Sequence, residues 1–288
     1  MLSILIVNWN TKDLLRVCLR SIRQFPPSTP FEVVVVDNAS TDGSAEMVAQ
    51  EFPEVKLVAS PVNTGYAKGN NLCFKNASGD WLLTLNPDTE FVDASLDIAL
   101  QRLEQCPNVG CLGVKQIGLD GKTQRSVRGF PTVTGILGDV SGLGGLIGGP
   151  FDAYRLKGFD YDREQPAPQP MGTFLLFRRR ALSDVGSPQA PFDESFPIFF
   201  NEVDLLWRLK RAGWDCLYTP KAQIRHHGGE STKQVRKSMI WESHKSLNRY
   251  LWKHCGRGLR VLGLPFITLF VFAAAFVRAK GYDAGFRA

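Results

Sequence analysis

Four acidic side chains stand where a carboxylate can act on a substrate: Asp37, Asp88, Glu202 and Asp204. Asp88 follows Leu82-Leu83-Thr84-Leu85, which reads as a buried strand. Pro87 cannot donate to a sheet ladder, so pairing is expected to stop there and leave Asp88 just past the strand end. In an open α/β sheet that edge is where ligands bind. A carboxylate held there can supply an oxygen to a divalent cation, and the cation can grip a diphosphate. Asn86-Pro87-Asp88 is equally a set of turn residues, so a plain turn is the competing reading. Asp37 closes a second apolar run, the place from which an acid commonly reaches a nucleoside. Glu202 and Asp204 open a helix whose far end carries Arg208, Lys210 and Arg211 before Gly213. That order complements a helix dipole, so these two acids also have a purely structural explanation.

The elements that position these residues follow from the apolar pattern. Ser3 to Val7 is a strand, and Asn10 or Thr11 is expected to cap the helix carrying Leu14, Leu15, Cys18, Leu19 and Ile22. The β-branched run Val33 to Val36 suits a strand covered on both faces. A helix with Ala45, Met47, Val48 and Phe52, a strand over Val55 to Ala59 and the Leu82 strand complete the first 90 residues. This alternation predicts a doubly wound, mostly parallel α/β sheet with helices on both faces. The first turn, Asn8-Trp9-Asn10-Thr11, lacks the Gly-x-Gly-x-x-Gly of a dinucleotide site, which argues against an oxidoreductase. A nucleotidyltransferase would likewise show a glycine-rich phosphate loop near the N-terminus. A metal on Asp88 is the alternative means of holding a diphosphate.

Ser3 to Asn10, Val35 to Ser44, Asn63 to Asn71 and Asn86 to Asp88, four ordered motifs at successive strand ends, together resemble the family 2 glycosyltransferases. They are most similar to the bacterial rhamnosyltransferase branch, and the resemblance runs from about residue 3 to residue 232. It implies a GT-A nucleotide-sugar-binding fold and an inverting mechanism. By position it implies that Asp37 meets the base or ribose and that Asp88 ligates Mg²⁺ or Mn²⁺. Asn8, Asn63, Gly65, Lys68 and Asn70 fall in donor-binding motifs, and Asn86 is placed to bond a ribose. Gly172 enters a strand through Met171 to Arg179 and lets backbone approach substrate. The family's acidic pair before Val-Asp-Leu is Asn201-Glu202 here, which makes Glu202 the general base and leaves Asp204 able to share the role. His226 becomes a metal or diphosphate contact, with His227 the alternative one register away. Gln124 to Pro131 also resembles the family.

Other stretches are less specific. Val109 to Val114 reads as a strand, Gly135 to Gly149 as a mobile lid or a plain insertion, and residues 160 to 170 as a surface linker. Arg178, Arg179 and Arg180 read as a solvated face. Six scattered cysteines without a Cys-x-x-Cys pair argue against zinc and disulfides and fit a reducing compartment. Met1 to Val7 breaks into Asn8-Trp9-Asn10, as a strand does and a signal peptide does not.

The chain carries a net +6, unevenly placed. Residues 221–288 hold 13 Lys/Arg and 3 Asp/Glu, a net +10, and residues 1–220 a net −4. Such a segment suits an anionic surface, either nucleic acid or lipid headgroups. Val261 to Val277, 17 positions without a charge, favours lipid and no nucleic acid. A spanning helix wants about 20 apolar residues, so an interfacial anchor, a span and a packed helix all stay open. The expectation is a catalytic domain over 1–232 with a basic, apolar, helical, membrane-associating tail over 233–288. The expected activity is transfer of a sugar, by resemblance L-rhamnose from dTDP-rhamnose, to a lipid-linked saccharide in cell-surface polysaccharide synthesis. It would occur on the cytoplasmic face of the membrane. A UDP-sugar donor and a non-catalytic sugar-binding homologue are the alternatives.

Overall fold

The computed structural model describes residues 1–141, 148–151, 153–228, 236–256 and 258–283. The apolar runs of the first half become β1 (Leu2–Asn8), β2 (Phe31–Asn38), β3 (Lys56–Ser60) and β4 (Trp81–Leu85). They pair in parallel in the order β3-β2-β1-β4, with Asn8 opposite Asp37 at the ends of β1 and β2. Between them run α1 (Lys12–Gln24), α2 (Ser44–Glu51) and α3 (Tyr66–Lys75). The second half adds β5 (Thr89–Phe91), α4 (Ser95–Glu104) and β6 (Val109–Ile117). It continues with β7 (Val127–Arg128), α5 (Val133–Ser141), β8 (Gln165–Pro166), β9 (Gln169–Pro170) and β10 (Phe174–Arg178). The last elements are α6 (Arg179–Ser183), α7 (Asn201–Arg211), β11 (Asp215–His226), α8 (Arg236–Cys255) and α9 (Leu264–Ala279).

The sheet is mixed. After β4 it continues β10-β6-β11-β5, with β10 antiparallel to both neighbours, β11 parallel to β6, and β5 an antiparallel edge on β11. Two apolar layers cover it. One holds Ile4, Ile6, Leu15, Phe52, Leu83, Leu100 and Phe174. The other holds Leu5, Val34, Phe74, Leu82, Phe177, Phe196 and Leu206. Tyr250 and Leu251 of α8 and Leu264 of α9 belong to that second layer, so the segment after residue 235 shares its packing with the sheet.

Several sequence expectations change. α1 begins after Thr11, but neither Thr11 nor Asn10 caps it; the backbone N–H of Lys12 donates to Asp42 Oδ2 at 2.8 Å, from the loop after β2. α3 and α4 were not anticipated. The glycine-rich stretch expected to be a lid or an insertion is the helix α5 up to Ser141; residues 142–147 lie outside the described set. Gly138 is there for close approach, since a Cβ on it would lie 2.3 Å from the Phe151 carbonyl oxygen. The linker of residues 160–170 instead carries β8 on β11 and β9 on β7. Tyr161 packs edge-on against the fully buried Tyr218, and its hydroxyl receives the N–H of Val127 at 3.1 Å. Arg178 and Arg179 are not a solvated face. They donate to orphan carbonyls, Arg178 to Leu103 at 2.8 Å and Arg179 to Gly79 at 2.6 Å and Ala77 at 2.9 Å. Of the three arginines only Arg180 is exposed.

Residues Val261–Ala279 have a mean hydropathy of 2.1 and suffice in length to cross a membrane, which alone is weak evidence. Leu264, Val271, Ala275 and Ala279 face α8, where Trp241 stacks on Phe272. The opposite face is bare: Phe266, Leu269 and Val277 are 76%, 71% and 74% exposed.

Candidate active site

A cavity of about 320 Å³ opens at the carboxyl ends of β1, β2 and β4. Asn63, Gly65, Asn86, Asp88, Gly172, Glu202 and His226 all line it, together with Trp9, Asn38, Tyr66, Phe199 and Met239. Seven of the expected residues thus come from five separate segments to one cavity.

Strand register brings Asp88 and His226 together. β5 begins at Thr89, one residue after Asp88, and pairs antiparallel with β11 so that His226 lies opposite Thr89. The N–H of His227 then donates to the Asp88 carbonyl at 2.9 Å. His226 Nε2 comes to 3.5 Å from Asp88 Oδ2. Gln124 fixes the ring: its Nε2 donates to the His226 carbonyl at 3.1 Å, which turns its Oε1 toward His226 Nδ1 at 2.8 Å. An acceptor at that position holds the proton on Nδ1 and leaves the Nε2 lone pair facing Asp88. The register therefore selects His226 over His227, whose Nε2 instead lies 3.9 Å from Glu90.

A carboxylate and an imidazole nitrogen are suitable donors for Mg²⁺ or Mn²⁺. Among the described residues no group of three or more His, Cys, Asp or Glu could hold a metal. The residues present therefore fit a cation whose remaining ligands come from a diphosphate and water, and do not fit a closed all-protein site. Asn86 does not join the pair. Its Oδ1 accepts the Tyr66 hydroxyl at 3.1 Å, and the same hydroxyl lies 3.3 Å from the Gly172 carbonyl. Burial pushes the Tyr66 phenol up, and the nearby Glu202 carboxylate adds to this.

Glu202 sits in the first turn of α7, after Phe200 in the left-handed region at φ 67°. Its side chain passes close to Gly172, where a Cβ would lie 3.6 Å from Glu202 Cγ. Burial pushes its carboxyl up to about 7, partly opposed by the N–H groups of Glu202 and Val203 at the helix start. A carboxyl poised there can both take and return a proton near neutral pH. Asn201 points inward, fully buried, with its Nδ2 on the Ile198 carbonyl at 2.7 Å.

Asn38 organises the other wall. Its Nδ2 donates to Asn63 Oδ1 at 2.9 Å and to the Gly65 carbonyl at 3.1 Å, and its Oδ1 receives the Thr64 N–H at 2.9 Å. Gly65 has φ +83° and would clash as alanine, since a Cβ would meet the Pro197 carbonyl oxygen at 2.7 Å.

Five expected residues lie off the cavity wall. Asp37 is 3% exposed; its Oδ1 accepts Asn8 Nδ2 and its Oδ2 the Ser40 N–H, both at 3.0 Å, so it braces the loop after β2. Asn8 is the other half of that brace. Lys68 lies on the exposed side of α3, and Asn70 turns in to bond the Tyr66 carbonyl at 2.9 Å. Asp204 is fully buried and faces α8, where it meets Lys253 at 2.6 Å and His254 at 2.7 Å, with Arg208 at 2.8 Å on its own helix. Burial alone would raise its carboxyl, but His254, Arg208 and Lys253 outweigh that and hold it down at about 2. It is a strut. Among residues not singled out in the sequence, Gln124, Asn38 and Tyr66 matter most, and all three lie inside the four motifs or the Gln124 to Pro131 stretch.

A sheet-edge crevice with a carboxylate–imidazole pair on one side and a raised carboxyl on the other defines a site of the GT-A glycosyltransferase type. Comparisons with known proteins agree. The model of Glycosyl transferase family 2 matches residues 3–186. The N-acetylglucosaminyl-diphospho-decaprenol L-rhamnosyltransferase of Mycobacterium tuberculosis is 30% identical over 244 residues, covering 77% of this chain and 75% of that protein. The O-antigen biosynthesis protein RfbC of Myxococcus xanthus is 28% identical over 86% of this chain but only 19% of its own length. Among solved structures, the mannosyltransferase PcManGT of Pyrobaculum calidifontis, in complex with GDP-Man and Mn²⁺, superposes with a TM-score of 0.60 at 16% identity. That match covers 98% of this chain and 76% of that one. The chain belongs to glycosyl transferase family 2.

Proposed function

We propose that this protein is an inverting, metal-assisted transferase of L-rhamnose from dTDP-rhamnose to a lipid-linked saccharide. The observation that carries the mechanism is Glu202, a carboxyl raised to about 7 on the same cavity as Asp88 and His226. Glu202 takes the proton of the acceptor hydroxyl as that oxygen attacks C1 of the sugar. The bond from C1 to the diphosphate breaks on the opposite face, so one displacement inverts the centre and no covalent enzyme intermediate is needed. Asp88 and His226 would hold Mg²⁺ or Mn²⁺. When bound, the cation neutralises charge on the leaving diphosphate. Tyr66 orients Asn86 beside the sugar, and the loop locked by Asn38 and Asn63 shapes the nucleoside end.

The donor and acceptor classes rest on the likeness to the mycobacterial rhamnosyltransferase, whose name includes a diphospho-decaprenol acceptor. The bare apolar face of α9 and the net +10 of residues 221–288 support a peripheral position on the cytoplasmic face of the membrane. A second copy on that face would set like charges against each other, whereas anionic headgroups complement them.

The test is a panel of nucleotide sugars with Mg²⁺ and a lipid-linked acceptor, read as released nucleoside diphosphate and as product anomer. Release of dTDP that needs metal, Asp88 and Glu202 supports the proposal. UDP release keeps the mechanism and replaces the donor. A product with the donor's anomeric configuration refutes inversion. Binding of donors without release from any of them favours a non-catalytic homologue.

A further inference from the structure

α8 and α9 run antiparallel and are joined from end to end. Near the start of α9, Trp252 Nε1 donates to Thr268 Oγ1 at 3.0 Å and Thr268 donates to Asn248 Oδ1 at 2.9 Å. Trp241 stacks on Phe272 in the middle. Just past the end of α9, Trp241 Nε1 donates to the Gly281 carbonyl and Ser238 to Asp283 Oδ1, both at 3.1 Å. α8 is itself fastened to the catalytic body, by Tyr250 and Leu251 in the second apolar layer and by Lys253 and His254 on Asp204. Phe200 lies against Tyr250 and Asp204 against His254, so α7 and α8 run the same way. From Tyr250, α8 reaches about 16 Å back to Met239, on the wall of the catalytic cavity. The bare face of α9 runs from Phe266 through Leu269, Phe270 and Phe276 to Val277, about 16 Å, and α9 carries no acid. Residues 236–283 hold nine Lys/Arg against Glu242 and Asp283. Asp193 and Asp204, which reach Lys253 from the catalytic body, bring the acids only to four.

We propose that α9 lies flat in the headgroup–acyl boundary of an anionic bilayer, with its bare face in the acyl layer, and does not cross the membrane. The inference rests on the peripheral-membrane reading above and adds the orientation. Length and hydropathy alone also suit a crossing helix; the packing does not. A crossing α9 that kept its partner would draw α8 into hydrocarbon with Glu242, Lys245 and Arg249, where charges are expensive. A crossing α9 that left its partner would lose the hydrogen bonds of Thr268, Gly281 and Asp283 and bare the buried Trp241 and Asn248. Lying flat, α9 sinks only its outer face, by about 5–10 Å. α8 and its charges then stay at headgroup level, about 8–10 Å from the α9 axis. Trp252 and Tyr282, both exposed and one at each end of α9, are amphipathic rings suited to that level. Anionic lipid answers the excess of cations, whereas a second copy of the chain would oppose it. Met239 is one residue from Ser238 and two from Trp241, which bind the end of α9, so the cavity wall comes within one helix of the lipid surface.

The test uses the full chain with the half-buried Cys106 and Cys255 changed to serine, which leaves the four buried cysteines. Phe266→Cys, Ala273→Cys or Val277→Cys, each at an exposed position of one α9 face, then carries a single fluorophore. Melting temperatures within a few degrees of wild type show the body intact, as exposed positions allow. The labelled chains are mixed with phosphatidylglycerol vesicles whose outer leaflet alone holds a lipid with a nitroxide at its headgroup. All three labels are expected to be quenched to the same degree. The unlabelled chain is expected to bind phosphatidylglycerol vesicles at least about tenfold tighter than phosphatidylcholine ones. A crossing helix would set Phe266 and Val277 about 16 Å apart in depth, so quenching graded along α9 overturns the flat helix and leaves membrane association standing. Absence of binding to either vesicle refutes membrane association itself. Equal affinity for the two vesicles overturns the anionic partner. A change in label emission that needs no vesicle and grows with protein concentration assigns the face to a second copy and also overturns the proposal.

Discussion

Replacing Glu202 by glutamine separates catalysis from stability, and the two are expected to move in opposite directions. The general base contributes about 10²–10⁴-fold, and the glutamine keeps the shape without the proton acceptor, so turnover should fall by that factor while nucleotide binding holds. With the carboxyl raised to about 7, about a tenth is ionised at pH 6 and about nine-tenths at pH 8, so wild-type kcat/KM should climb about tenfold between them. Stability runs the other way. Folding lifts this carboxyl from 4.5 to about 7, so between those values the folded state holds a proton that the unfolded chain has released. The folded state therefore loses stability as pH rises through that window. The loss is about 3 kcal/mol at full shift, and less because the side chain is partly open to solvent. Glu202→Gln has no such loss and should melt a few degrees above wild type at pH 8 and level with it near pH 4. Thermal melts at the two pH values and a pH–rate profile check this together. A flat profile from pH 6 to 8, or a glutamine variant that melts below wild type at pH 8, would refute the assignment of Glu202 as a buried base.

Asp204→Asn should cost about 3–5 kcal/mol, because it leaves Lys253, His254 and Arg208 facing a buried neutral group; chemical denaturation reads this directly. Since that carboxyl is held at about 2, its contribution is complete above 3.8 and fades as pH drops through about 2, and the variant should lose that limb of the acid-unfolding curve. Asp88→Ala should abolish the Mn²⁺-dependent part of nucleoside diphosphate binding in calorimetry and leave the metal-free part. Gly65→Ala should lower stability by more than about 1 kcal/mol, from the positive φ and the contact with Pro197. Phe266→Ser/Leu269→Ser should reduce binding to phosphatidylglycerol vesicles while the melting temperature stays within a few degrees, as exposed positions allow.

The strand ends were legible because each motif residue sits where an apolar run stops, and the sheet then stacks those ends in space. Asp88 and His226 meet for that reason, and Glu202 joins them on the cavity from the first turn of α7. Gln124 was hidden because its role depends on a partner 102 residues away, at the end of β11. α3 was hidden by its own composition: Gly69, Asn70 and Asn71 are poor helix formers. Tertiary contacts override the propensity, since Asn71 bonds both the carbonyl and the N–H of Phe192, and a Cβ on Gly69 would lie 2.8 Å from Val7. α4 was not anticipated although Leu96, Ala99, Leu100 and Leu103 do recur at helical spacing. The arginines 178 and 179 misled because charge predicts solvent only when no orphan carbonyls lie within reach.

Asp204 shows why local pattern could not assign the second acid of α7. An acid in a first turn complements the dipole wherever its side chain points, and Glu202 and Asp204 differ by two residues, which turns them to different sides of the helix. One side meets the cavity and the other meets α8. The helix that presents the base is thereby fastened by Lys253 and His254 to the helix that carries α9 and, through Met239, also lines the cavity. The ion cluster is buried on the acid side and reached by solvent on the Lys253 side, so the desolvation cost falls mainly on a carboxylate that Arg208, Lys253 and the His254 ring already satisfy. That arrangement supplies orientation more than net stability. It fixes the angle between the base and the apolar helix, which is the geometry an enzyme needs if its acceptor arrives from a bilayer.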